Sequence, residues 1–114
     1  MAKPKPDKLV LPNYPYRGRF TKEKAPMEST NAVAVVDDED NIRETVGFAL
    51  RREGYPVELY ATGLEAWRAF QQKLPGLVIL DIMMPEMDGL ELCRRIRAVS
   101  EATPIIFLTS RDEE

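Results

Sequence analysis

Three polar clusters in this chain each follow an apolar run. Asp37-Asp38-Glu39-Asp40 follows AVAVV at 32–36, Asp81 follows LVIL at 77–80, and Thr109 follows PIIFL at 104–108. Apolar runs without alternation suit strands buried on both faces of a parallel sheet. In open α/β sheets, ligands bind at the carboxyl ends of such strands. If the first, third and fourth strands are neighbours, the three clusters converge. Carboxylates within a few ångströms repel by about 1–4 kcal/mol per pair between water-like and surface-like dielectrics. A fold tolerates that when a cation sits between them or one group takes up a proton. An all-oxygen set without histidine favours a hard ion, and Mg2+ fits best because it needs few carboxylates. The Thr109 hydroxyl adds a donor for an anionic oxygen. A cation, a nucleophilic carboxylate and such a donor are the parts of phosphoryl transfer. The plainer alternative is three unrelated turn and helix-capping residues, and the residues alone leave both open.

The intervening segments supply elements to position these groups. Ile42, Val46, Ala49 and Leu50 recur at helical spacing, with Asp38 or Asp40 as N-cap and Gly54 at the C-terminal end. Residues 57–61 form a short, weak strand near an edge. Thr62 and Glu65 match a capping box, and Ala66, Ala69, Phe70 and Leu74 give the next helix its core face, with Trp67 at its margin and Pro75-Gly76 ending it. After Asp81, Pro85 bars helix until Asp88, which with Glu91 resembles another cap; Leu92, Cys93 and Ile96 face inward. Cys93 reads as an inert core thiol. Strand and helix alternate three times before a last strand, so a parallel sheet with right-handed crossovers is expected.

Composition removes other chemistries. A chain of 114 residues allows one small domain. One cysteine and no histidine exclude an internal disulfide framework, a Cys/His zinc site and a histidine-based triad. A single free thiol fits a reducing compartment, and a cytoplasmic location is expected. No apolar run approaches the roughly 20 residues of a membrane helix, and the N-terminus lacks the apolar centre of a secretory signal. Residues 1–31 hold seven Lys/Arg against three Asp/Glu; residues 32–114 hold nine against sixteen. The acidic part gives no reason to expect nucleic-acid binding. Five of the prolines fall within 1–31, which reads as a disordered or extended basic tail. Tyr14, Tyr16, Phe20, Arg17 and Arg19 are its candidates for a partner contact, and a linker or leader is the plainer reading. Met27, just before the first strand, is a candidate natural start.

Asp37-Asp38-Glu39, DIMMPEMDG at 81–89 and Leu108-Thr109-Ser110 together resemble the receiver domain of bacterial two-component response regulators. The resemblance spans 32–114, and DIMMPEMDGLELCRRIR with LTSRDEE looks most like the OmpR/PhoB type. It implies a flavodoxin-like (CheY-like) α/β fold with parallel strand order 2-1-3-4 and, beyond this chain, a fifth strand and last helices. It implies Asp81 as phosphoacceptor and Thr109 as the switch hydroxyl. Asp37, Asp38, Asp81 and the Met83 backbone carbonyl would hold Mg2+. It also implies a sensor histidine kinase as partner and DNA binding only through a C-terminal effector domain not covered here. Such a domain assists its own phosphorylation and dephosphorylation but is not an enzyme in the ordinary sense.

The family's lysine and switch aromatic on a fifth strand would lie beyond Glu114, so the chain reads as a receiver truncated before that strand. Arg111 is a poor substitute for the lysine, since it leaves from strand four. Without a fifth strand, 104–108 is an open apolar edge that invites pairing into a homodimer, and an interaction fragment without phosphotransfer is the alternative function. A phosphatase of the haloacid dehalogenase type wants a second acid two positions after its nucleophile, where this chain has Met83.

Overall fold

The computed structural model describes residues 30–108. The expectations for the tail at 1–29, and for Thr109, Ser110 and Arg111, lie outside the described residues. The order is β1 (Val33–Val36), α1 (Asp40–Arg52), β2 (Val57–Tyr60), α2 (Gly63–Phe70), β3 (Leu77–Asp81), α3 (Gly89–Val99) and β4 (Ile105–Leu108). The four described strands form one sheet in the order β2-β1-β3-β4, parallel at every pairing. The expected α/β architecture and the order 2-1-3-4 are therefore present.

The central strands are apolar on both faces because both faces are covered. Every residue of β1 is buried, and so are Val78, Ile79 and Leu80 of β3. Ala34, Val36, Val78 and Leu80 point to one side and meet Ala66 and Phe70 of α2 and Leu92 and Ile96 of α3. Burying a side chain the size of Leu80 or Ile96 contributes about 1.5–3 kcal/mol, so this layer is the main core. Cys93 and Trp67 pack at its border as partly buried residues. Val33 and Val35 alternate to the other side, that of α1. Gly47, the one fully buried residue of α1, passes so near Leu59 that a β-carbon there would lie 2.9 Å from its Cδ2.

Two local expectations are corrected. First, neither Asp38 nor Asp40 caps α1. Glu39 is the N-cap residue and makes no side-chain cap bond; its own N–H donates to Asp37 Oδ1 at 2.8 Å. The acidic turn is bonded back toward the strand end instead of forward onto the helix. Second, α2 ends at Phe70 rather than running to Pro75-Gly76. Leu74 still enters the core, but from the loop, where its carbonyl accepts the Thr30 N–H and anchors it beside the entry to β1. The helical spacing of Ile42, Val46, Ala49 and Leu50 is matched by α1, whose apolar stripe is partly covered: Ile42, Val46 and Leu50 are half-buried and Ala49 is exposed. The caps expected for the other helices are present. Thr62 accepts the Glu65 N–H at 3.0 Å and Asp88 accepts the Glu91 N–H at 2.9 Å. Gly54 follows α1 with φ of 94°, a left-handed geometry that suits glycine.

Tyr60 closes the β2 edge. Its ring meets Phe70 edge-on, with centroids 5.6 Å apart, and its hydroxyl donates to Glu58 Oε1 at 2.9 Å. Burial, then the hydrogen bond and the charge of Glu58, push its pKa from 10.0 up to about 12. A group whose folded pKa is raised contributes stability that is complete below the unfolded pKa and is lost as pH climbs through the folded one. The melting temperature of the wild type is thus expected to fall more steeply than that of Tyr60→Phe between about pH 10 and 12. Parallel curves over that window would contradict this account of Tyr60.

Candidate functional site

Sheet register sets the site. Val36 of β1 lies opposite Leu80 of β3, so the next residues, Asp37 and Asp81, stand level at the carboxyl ends of adjacent strands. Across the other side of β3, Asp81 lies opposite Leu108, the residue before Thr109. Asp38 joins from the turn after β1. One carboxylate oxygen from each of Asp37, Asp38 and Asp81 lies within 4.8 Å of the others. Asp37 and Asp81 are wholly buried and Asp38 is half-buried. The expected convergence of the first two clusters, at the ends of β1 and β3, is observed.

Three carboxylates this close repel by about 1–4 kcal/mol per pair, and burial raises the cost of leaving them charged. The donor set is all oxygen, as a hard divalent cation requires. Asp38 Oδ1 is buried and has no hydrogen-bond partner among the described residues, so an acceptor is left for such an ion. These residues fit a divalent metal.

The loop from β3 to α3 orients Asp81. The Met83 N–H donates to Asp81 Oδ1 at 3.1 Å and so fixes the carboxylate plane. The Met83 side chain is exposed, as suits a residue placed here for its backbone. Glu86 takes φ of 65°, which turns the loop back toward the sheet. Gly89 then starts α3 directly against the strand end, and its N–H donates to the Ile82 carbonyl at 3.0 Å. A β-carbon on Gly89 would lie 2.2 Å from the Asp81 carbonyl oxygen and 2.8 Å from Ile82 Cα, both backbone atoms unable to yield.

Residue reasoning missed Arg43. Its Nη1 donates to the Asp37 carbonyl at 2.8 Å and its Nη2 pairs with Asp40. The signal lay in the spacing: an arginine three residues after one acid and six after another. Only the turn geometry shows that it reaches back to the strand end.

The family described as "Response regulator receiver domain" matches residues 33–114. The chain belongs to this family. Among its relatives, the "Response regulator MprA" of Mycobacterium sp. (strain KMS) is 44% identical over 80 residues, which are 70% of this chain and 35% of that one. The "Transcriptional regulatory protein CreB" of Escherichia coli (strain K12) is 39% identical over 82 residues, 72% of this chain and 36% of the relative. This receiver chain thus spans about a third of the length of the curated relatives it matches. A solved structure of the response regulator TrrA from Thermotoga maritima, in complex with Mg(2+)-BeF, superposes with a TM-score of 0.67 at 42% identity, covering 71% of this chain and 70% of that one. TrrA bound to the histidine kinase ThkA gives 0.66 at 41% identity, covering 72% and 71%. No helix among the described residues is long and apolar enough to cross a membrane.

The contact between Gly89 and Asp81 has a sign that can be tested. In an unobstructed helix, Gly→Ala stabilises by about 1 kcal/mol. Here Gly89→Ala is expected to destabilise by about 2–4 kcal/mol in urea unfolding, because backbone must move. A stabilising Gly89→Ala would show that α3 does not rest on the Asp81 backbone.

Proposed function

We propose that this receiver domain is a phosphoacceptor, with Asp81 as the residue that takes the phosphoryl group from the phosphohistidine of a sensor histidine kinase. The observation that carries the reading is the convergence of Asp37, Asp38 and Asp81, with ligand oxygens within 4.8 Å of one another, at the carboxyl end of the sheet. The similar TrrA, solved once with Mg(2+)-BeF and once with the kinase ThkA, supports both the metal and the partner.

Asp37, Asp38 and Asp81 would hold Mg2+, with the Met83 backbone carbonyl as a further oxygen donor. Bound there, the ion would supply positive charge against the phosphoryl oxygens. The chain's own part is nucleophile and orientation. The Met83 N–H holds one oxygen of Asp81 and thereby aims the carboxylate. A carboxylate oxygen attacks phosphorus, the P–O bond forms as the P–N bond breaks, and the imidazole nitrogen leaves with the electron pair. Thr109 follows the residue paired with Asp81, and its hydroxyl would donate to an oxygen of the new acyl phosphate.

The output then belongs to the parent protein. The relative CreB is named a transcriptional regulatory protein, and DNA binding through an effector domain outside this chain is the corresponding proposal here. Contact between two copies along 104–108 is a secondary proposal. It is supported by Ile106 and Phe107, both exposed on β4. A cytoplasmic location is part of the same reading, since the phosphohistidine donor is made from intracellular ATP.

With phosphoramidate as donor, the wild type is expected to gain a hydroxylamine-labile phosphoryl group and Asp81→Asn none. Asp38→Ala is expected to weaken Mg2+ binding by more than about tenfold. Labelling that persists in Asp81→Asn would remove the assignment.

A further inference from the structure

Arg43 lies in the first turns of α1, and its side chain is only 12% exposed, although its partner Asp40 is 84% exposed. An i,i+3 pair with an exposed acid contributes little on a helix surface. It gives no reason to bury a guanidinium, which is costly unless hydrogen-bonded. The other bond supplies that reason. Nη1 donates to the carbonyl of Asp37, the residue whose carboxylate opens the acidic site. Two more bonds close the turn: Glu39 N–H to Asp37 Oδ1 at 2.8 Å, and Arg43 N–H to the Glu39 carbonyl at 3.0 Å. The guanidinium therefore ties the last carbonyl before the acidic turn to the helix that follows it.

We propose that Arg43 is a positioning residue of the acidic site: by bridging the Asp37 carbonyl and Asp40, it fixes the β1–α1 turn so that Asp37 and Asp38 face Asp81. Its plain electrostatic effect runs the other way, because a fixed cation beside a cation site weakens binding. The two roles thus predict opposite signs when Arg43 is removed. Arg43→Lys separates them further, since lysine keeps the charge but lacks the planar fork that reaches two acceptors.

The Mg2+ part of this inference rests on the metal reading proposed above, so the test has a metal-free arm. Amide resonances of the full chain are followed by NMR during Mg2+ titration, and hydrogen exchange of the Glu39 amide is measured without metal. In Arg43→Ala the Mg2+ dissociation constant is expected to rise roughly tenfold or more, and the Glu39 amide to exchange faster than in wild type. Arg43→Lys is expected to shift both in the same direction and decides the matter if Arg43→Ala does not fold. Arg94→Ala, which removes an exposed pair with Glu91, is expected to change neither. A merely structural arginine would lower the melting temperature and leave Mg2+ affinity of the folded protein unchanged. Unchanged or tighter Mg2+ binding in the Arg43 variants, or an unchanged Glu39 exchange rate, overturns the proposal. Failure of the wild type to bind Mg2+ refutes the metal reading instead, and Glu39 exchange then decides the role of Arg43 alone.

Discussion

Mutual repulsion of Asp37, Asp38 and Asp81 is the constraint around which this domain is built. Left to themselves, three carboxylates would separate into solvent. Here two of them are fully buried, with ligand oxygens of all three within 4.8 Å. The work of holding them is done by the pairing of β1 with β3. That pairing is fixed by apolar residues on both faces of both strands. A slip of one residue would exchange the β1 residues packed on the α1 side with those packed against α2 and α3, so the register of the site is tied to the packing of both layers.

The second support is the close approach of backbone to backbone. α3 begins against the carbonyl of Asp81, where a side chain larger than hydrogen has no room. The Asp88 cap fixes the start of that helix one residue earlier. The loop between is short, carries Pro85, and turns through a left-handed Glu86. Asp81 is therefore held by the strand before it, by the Met83 N–H, and by the helix after it. In the proposed role of phosphoacceptor, a carboxylate held this way would lose little orientational freedom on meeting a phosphoryl donor.

Much of this was legible in the residues. The unbroken run at 77–80 ending in Asp81 announces a buried strand with a carboxylate at its mouth. Thr62-x-x-Glu65 and Asp88-x-x-Glu91 mark helix starts that the structure contains, and Gly54 marks a helix end. The misreadings have a common cause: patterns report periodicity, not which competing hydrogen bond prevails. Four acids in a row before a helix look like caps, yet the Asp37 carboxylate bonds the Glu39 N–H and leaves the cap empty. Leu74 keeps helical spacing with Phe70, but α2 ends at Phe70 and Leu74 reaches the core from a loop. The reach of Arg43 back to the strand end depends on the angle at which α1 leaves β1, which no spacing rule contains.

The most direct test of the central claim is a crystal structure of the protein soaked in Mn2+, with the ion located by anomalous scattering. The account predicts one strong peak at the carboxyl end of β1 and β3, within about 2.0–2.3 Å of oxygens from Asp37, Asp38 and Asp81. Peaks confined to exposed surface carboxylates, with none between these three, would contradict it.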